Sequence, residues 1–176
     1  MPIMDNTNFE ELTSLNTCKL LDSPKLPIGG NAAKKLCLMN LNIRGLESNF
    51  AALKCFLTQL NQRPDIIVIT ESHLDNISAP LIHLDGYRTA YNNRSSHGGG
   101  LLVFINSNIL FEIKSKMTGL FNSHESLAIE INMPKRQKIN IICIYRPPDK
   151  KFIDFLNYFK SIEKFLKTKK VILVGA

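Results

Sequence analysis

Apolar side chains recur along this chain with two different periods, and the switches between them outline most of its elements. Residues 36–43 read as a strand. Ser48 or Asn49 can then cap a helix in which Phe50, Leu53, Phe56, Leu57 and Leu60 recur at steps of three and four. Pro64 and Asp65 break that helix. The run Ile66, Ile67, Val68, Ile69, Thr70 is continuous and β-branched, which predicts a strand covered on both faces. A short strand is expected at residues 87–91, followed by a turn-rich connection ending in Gly98, Gly99 and Gly100. Runs at 101–105, 110–116, 127–131 and 139–145, parted by short polar or Pro-containing breaks, predict an antiparallel meander. Phe152, Phe155, Leu156, Phe159, Ile162 and Leu166 mark the apolar side of a second helix over 151–167, and residues 171–176 read as a last buried strand. The expected architecture is α/β, with helices covering a largely antiparallel sheet and helical crossovers at both ends.

Residues 1–34 lack this patterning and carry Pro24, Pro27, Gly29 and Gly30, so they are expected to form a poorly ordered extension to one domain at 35–176. A chain of 176 residues can bury one sizeable core. No apolar run approaches the roughly 20 residues that span a bilayer, and Asp5, Glu10, Glu11 and Asp22 are foreign to a secretory signal. An intracellular protein, nuclear or cytoplasmic and without a membrane partner, is expected. Cys18, Cys37, Cys55 and Cys143 have no C-x-x-C spacing and read as inert thiols, with disulfides or zinc as the alternatives.

The formal charge of +7 is unevenly spread: residues 132–170 hold eleven Lys or Arg against three acids. That asymmetry suits a polyanionic partner, because clustered cations gain affinity by releasing phosphate counterions. Lys160, Lys164 and Lys167 also fit the solvated face of one helix.

Three polar groups fall at the ends of apolar strands: Asn42, Glu71 and Tyr145. Glu71 is the candidate Mg²⁺ ligand, since that ion takes one or two carboxylates and leaves its other positions to water and substrate phosphate. The Asn42 amide can orient a carboxylate or donate to a phosphate oxygen, and the Tyr145 phenol can donate similarly. The glycines after His97 lack the Lys and Ser or Thr of a P-loop and precede a strand, so a tight turn is expected. His73, His83, His97 and His124 show no metal-ligand spacing and read as surface or loop histidines; Glu125 reads as a solvated acid or a supporting one.

Residues 41–46 (Leu-Asn-Ile-Arg-Gly-Leu), 69–74 (Ile-Thr-Glu-Ser-His-Leu), 98–103 (Gly-Gly-Gly-Leu-Leu-Val) and 144–148 (Ile-Tyr-Arg-Pro-Pro) occur in an order that resembles the endonuclease/exonuclease/phosphatase superfamily. The resemblance is greatest to the N-terminal endonuclease domain of non-LTR, LINE-type retrotransposon polyproteins. It implies the N-terminal portion of a four-layered α/β/β/α sandwich, as in pancreatic deoxyribonuclease. It also implies that Asn42 contacts the reacting phosphate or the metal shell, that Glu71 binds Mg²⁺ and that Tyr145 helps hold the phosphate. Arg44 and Arg146, inside the same motifs, become candidate nucleic-acid contacts. The implied reaction is Mg²⁺-dependent hydrolysis of a phosphodiester in DNA, a nick whose 3′ hydroxyl primes reverse transcription.

Val174 and Gly175 match the start of the family's Gly-Asp-x-Asn strand, but Ala176 stands where the aspartate belongs and the later Ser-Asp-His motif has no counterpart. General acid–base catalysis contributes roughly 10²- to 10⁴-fold, so the chain alone is expected to be inactive and to need a complementing C-terminal half or to self-associate. The alternatives are a noncatalytic basic module that binds nucleic acid and a phosphoesterase of the same superfamily acting on a small molecule or lipid headgroup.

Overall fold

The computed structural model describes residues 36–94 and 98–176, so the expectation for residues 1–34, the position of Cys18 and the ring of His97 lie outside the described residues. Nine strands among the described residues form two sheets. The first contains β1 (Leu38–Asn42), β2 (Ile66–Thr70), β3 (Tyr87–Asn92) and β4 (Leu101–Asn106) in the order β1-β2-β4-β3. The second contains β5 (Phe111–Ile113), β7 (Glu125–Met133), β8 (Gln137–Tyr145) and β9 (Val171–Gly175) in that order, with the short β6 (Gly119–Leu120) also on β7. The expected meander is thus divided: β3 and β4 pair in one sheet, and the chain then crosses to the other.

Each sheet has one parallel pair, joined by a helix, because parallel neighbours need a crossover. Helix α1 (Leu46–Gln59) links β1 to β2, and α2 (Phe152–Thr168) links β8 to β9. Helix α1 starts two to three residues before the expected Ser48 or Asn49 cap. Gly45 takes the cap position at φ 107°, and Asn49, now inside the first turn, turns its Nδ2 back to the carbonyls of Ile43 and Gly45 at 3.0 Å each. No helix among the described residues is long and apolar enough to cross a membrane.

Alternation along the strands builds the layers. Leu38, Ile66, Val68, Val103 and Ile105 of the first sheet meet Leu127, Ile129, Ile131, Ile141 and Cys143 of the second in one buried cluster. The outer face of the first sheet, including Met39, Ile67, Ile69 and Phe104, is covered by Leu46, Leu53 and Leu57 of α1. The outer face of the second, with Ala128, Ile142 and Ile144, is covered by Tyr158 and Ile162 of α2. The order of layers is helix, sheet, sheet, helix. With both faces buried, β2 needs the unbroken β-branched run its sequence displays.

Candidate active site

Because β1 and β2 are parallel and in register, Leu41 to Ile69 and Asn42 to Thr70, both strands release their loops at the same end of the sandwich. The loops are laced together: the Ile43, Gly45 and Leu46 amides donate to the carbonyls of Thr70, Glu71 and Ser72 at 3.1, 2.8 and 2.9 Å. Arg44, Glu71 and His73 all adopt left-handed backbone conformations, at φ 48°, 54° and 53°. Side-chain-bearing residues occupy that region only when their surroundings hold them there. Here the lacing turns Glu71 toward β1. Asn42 Nδ2 donates to Glu71 Oε1 at 2.8 Å, while Asn42 Oδ1 is buried without a hydrogen-bond partner among the described residues. His73 Nε2 stands 3.9 Å from Glu71 Oε2.

The glycine turn closes the other side. The Ser72 and His73 amides donate to the carbonyls of Gly100 and Gly99 at 3.2 and 3.0 Å. Gly99 and Gly100 lie at φ 70° and 89°, and neither has room for a Cβ: one on Gly99 would sit 2.2 Å from Glu125 Oε1, one on Gly100 2.4 Å from Ser72 Oγ. Glu125 Oε2 accepts from the Gly100 amide at 2.6 Å. Arg94 Nε approaches Glu125 Oε1 at 3.7 Å. Burial pushes the Glu125 carboxyl up from its ordinary pKa, against the Gly100 amide and the Arg94 charge.

Glu125 is only 2% exposed, so it is not the solvated acid that its sequence suggested. It is directly opposite Tyr145 in the β7–β8 ladder. The Tyr145 phenol faces Glu71: burial first, then the charge and acceptor oxygens of that carboxylate, push it up to about 12, so it stays protonated and able to donate at any ordinary pH.

Asn42, Glu71 and Tyr145 are therefore brought together from three strand ends. Arg44 flanks them, exposed at the β1 exit. Arg146 turns away from them: its Nη1 donates to the carbonyls of Pro147 and Lys150 at 3.2 and 3.0 Å, and its guanidinium is 6.0 Å from the Phe152 ring. It braces the turn into α2. Sequence reasoning missed the packing of Glu125 and Arg94 against the glycine turn. Extending the inward alternation of Ile129 and Leu127 back by two residues points to Glu125, since the strand begins there rather than at Leu127.

The donors present at this end are hard oxygens: the Glu71 carboxylate and the partnerless Asn42 Oδ1. They suit Mg²⁺, which needs few protein ligands and keeps water and phosphate on its remaining positions. A cage of three or more His, Cys, Asp or Glu side chains does not form among the described residues.

No family model matches the sequence, and no curated protein matches it either. Solved structures do. The chain is similar to the endonuclease domain of TRAS1, a telomere-specific non-LTR retrotransposon, at 15% identity over 78% of this chain and 57% of that one, with a TM-score of 0.54. It is similar to the human nocturnin catalytic domain at 15% identity over 78% of this chain and 62% of that one, with a TM-score of 0.53. Against TDP2 from Caenorhabditis elegans the identity is 17%, over 78% of this chain and 45% of that one, with a TM-score of 0.58. The chain spans less than two thirds of the length of each of these three structures. Together with the four layers and the two helical crossovers, these likenesses establish that the chain has the fold of the endonuclease/exonuclease/phosphatase superfamily.

Proposed function

We propose that this chain contributes the Asn-Glu-Tyr half of a Mg²⁺-dependent site that hydrolyses a phosphodiester in DNA, of the kind a retrotransposon endonuclease uses to nick its target and prime reverse transcription. The observation that carries the reading is the pairing of Asn42 with Glu71 at 2.8 Å, with Asn42 Oδ1 buried and without a hydrogen-bond partner among the described residues. Glu71 and Asn42 Oδ1 would hold the ion. When bound, Mg²⁺ neutralises charge on a phosphate oxygen. The Tyr145 phenol, held protonated, donates to a phosphate oxygen and fixes the diester against Glu71. Arg44, exposed beside them, meets the neighbouring phosphates of the strand.

Among the described residues no histidine beside the metal site has an orienting acid separate from it. His73 has Glu71 itself as its nearest carboxylate, so no separate acid among the described residues orients it, and His83 is paired with the exposed Asp85 instead. Water activation is therefore poor, and hydrolysis by this chain alone is expected to fall short of a complete enzyme by at least about 10²-fold.

Calorimetric Mg²⁺ titration in the presence of a short duplex, paired with a plasmid-nicking assay, tests the reading. Glu71→Gln is expected to abolish the Mg²⁺-dependent heat, and Tyr145→Phe to weaken duplex binding several-fold while leaving the ion in place. Mg²⁺ binding unchanged by Glu71→Gln would overturn the metal assignment. Rapid nicking that survives Glu71→Gln would overturn the site.

A further inference from the structure

The basic residues of the second half do not converge on Glu71. They collect at the opposite end of the sandwich. β8 enters at Gln137 and leaves at Tyr145, so its first residues lie roughly 26 Å from the site at about 3.3 Å per residue. Helix α2 starts near the site and runs back to finish at Thr168, and the chain re-enters the sheet at Val171 beside Asn140. Three elements therefore meet at the far end: the β7–β8 connection, the last turns of α2 and the start of β9. Lys170 ties them, its carbonyl accepting from the Asn140 amide at 2.9 Å and its Nζ donating to Gln137 Oε1 at 3.3 Å.

On these elements Arg136, Lys138, Lys164, Lys167, Lys169 and Lys170 are all exposed. Arg136 is held at φ 57° at the tip of the hairpin. Two of the six have acidic partners, Lys138 with Glu130 at 2.7 Å (which also contacts Lys114 at 3.2 Å) and Lys167 with Glu163, so cations still outnumber acids at the pole. Attraction to the carbonyl end of α2 accounts for cations in its last turn, but not for Arg136 and Lys138 on a different element. The helical row Lys160, Lys164, Lys167 advances about 10 Å at 1.5 Å per residue, which spans about three phosphates of one strand at 3.4 Å each.

We propose that this basic pole is a second nucleic-acid contact surface, separate from the Asn42–Glu71 end, and that it anchors the DNA or RNA backbone without base recognition. The proposal goes beyond the hydrolytic reading and stands whether or not that reading holds. An anionic membrane is the poorer partner, because the exposed apolar side chains of α2, Phe152, Ile153 and Leu156, sit at its other end. A nucleic acid held at both ends must follow the second sheet for about eight base pairs at 3.4 Å each, so the pole matters for long substrates and not for short ones.

The test compares two double variants of equal net charge. Lys164→Glu with Lys169→Glu removes charge from the pole; Lys54→Glu with Arg63→Glu removes the same charge from the α1 side, where both residues are exposed. Binding to an 8-base-pair and a 24-base-pair duplex is measured across a salt series. The pole variant is expected to lose at least about tenfold in affinity for the longer duplex and to flatten its salt dependence by about two phosphate contacts, each worth roughly 0.9 in the log–log slope. The α1-side variant is expected to lose much less. Equal losses in the two variants would overturn the proposal, as would binding of polyglutamate or of phosphatidylserine vesicles to the pole as tight as that of DNA. The salt series is run in EDTA, where the Asn42–Glu71 end holds no ion, so failure of the pole is distinguishable from failure of the active-site assignment.

Discussion

At the scale of single residues, the site end depends on a glycine turn that admits no side chain at Gly99 or Gly100. Gly99 combines a left-handed backbone with a Cβ position 2.2 Å from a carboxylate oxygen that is itself buried. Gly99→Ala is expected to cost at least about 2 kcal/mol in urea unfolding, from backbone strain and the displacement of Glu125. Because the obstacle is the Glu125 side chain, Glu125→Ala in the Gly99→Ala background should recover part of that loss, a coupling that a double-mutant cycle reads directly. Additive losses would mean that the strain is in the backbone alone. The individual candidates Asn42, Glu71 and Tyr145 are legible as polar groups closing apolar strands, a signal that survives in one sequence because strands expose their ends. What brings Asn42 and Glu71 to 2.8 Å is not legible: it depends on left-handed turns at Arg44, Glu71 and His73, and of these residue types only His has a local preference for that conformation.

Whole elements show where periodicity informs and where it misleads. The β-branched run Ile66–Thr70 coincides with β2 to the residue, since a doubly covered strand leaves no polar position to blur its ends. The run at 110–116 becomes a three-residue strand followed by a 3-10 turn at Ser115–Met117, because the chain turns there to bring Met117 under α2. His124, which its sequence presents as a surface or loop residue, is 2% exposed between the β6–β7 hairpin and α2, with ring centroids 4.7 Å from Phe121, 4.2 Å from Tyr158 and 5.5 Å from Phe155. A lone histidine at a strand edge gives no periodic clue to such a contact. Its Nδ1 is 2.9 Å from Ser123 Oγ and its Nε2 has no partner among the described residues, so burial lowers its pKa from 6.5 to about 4. The unfolded chain then takes up a proton that the folded one refuses, and stability is lost as pH falls from about 6.5 to about 4. The expected loss is up to about 3 kcal/mol, read from chemical unfolding at pH 7 and pH 4.5, and His124→Phe should remove most of that slope. A variant with the parental slope would place the acid sensitivity elsewhere.

Across the whole molecule, two sheets with separate helices share one buried layer, and that sharing decides whether they are separable units. Ile141 is fully buried in the layer and belongs to β8, while Val68 and Val103 of the same cluster belong to the first sheet. If the sheets were independent, each would expose an apolar face on parting from the other, at about 25 cal/mol for every Å² returned to water. Among the described residues neither sheet has a second covering for that face, since α1 and α2 occupy the outer sides. The two should therefore open together. Ile141→Ala, expected to cost about 2 to 5 kcal/mol, should lower amide-exchange protection by the same amount in β2 and β4 as in β7 and β8. Loss confined to the second sheet would reveal two folding units. The site would then be assembled by docking rather than by folding, because Asn42 and Glu71 come from one sheet and Tyr145 from the other. Equal loss in both sheets ties the alignment of those three residues to global stability, so that a core substitution far from the site loosens it only by unfolding the whole.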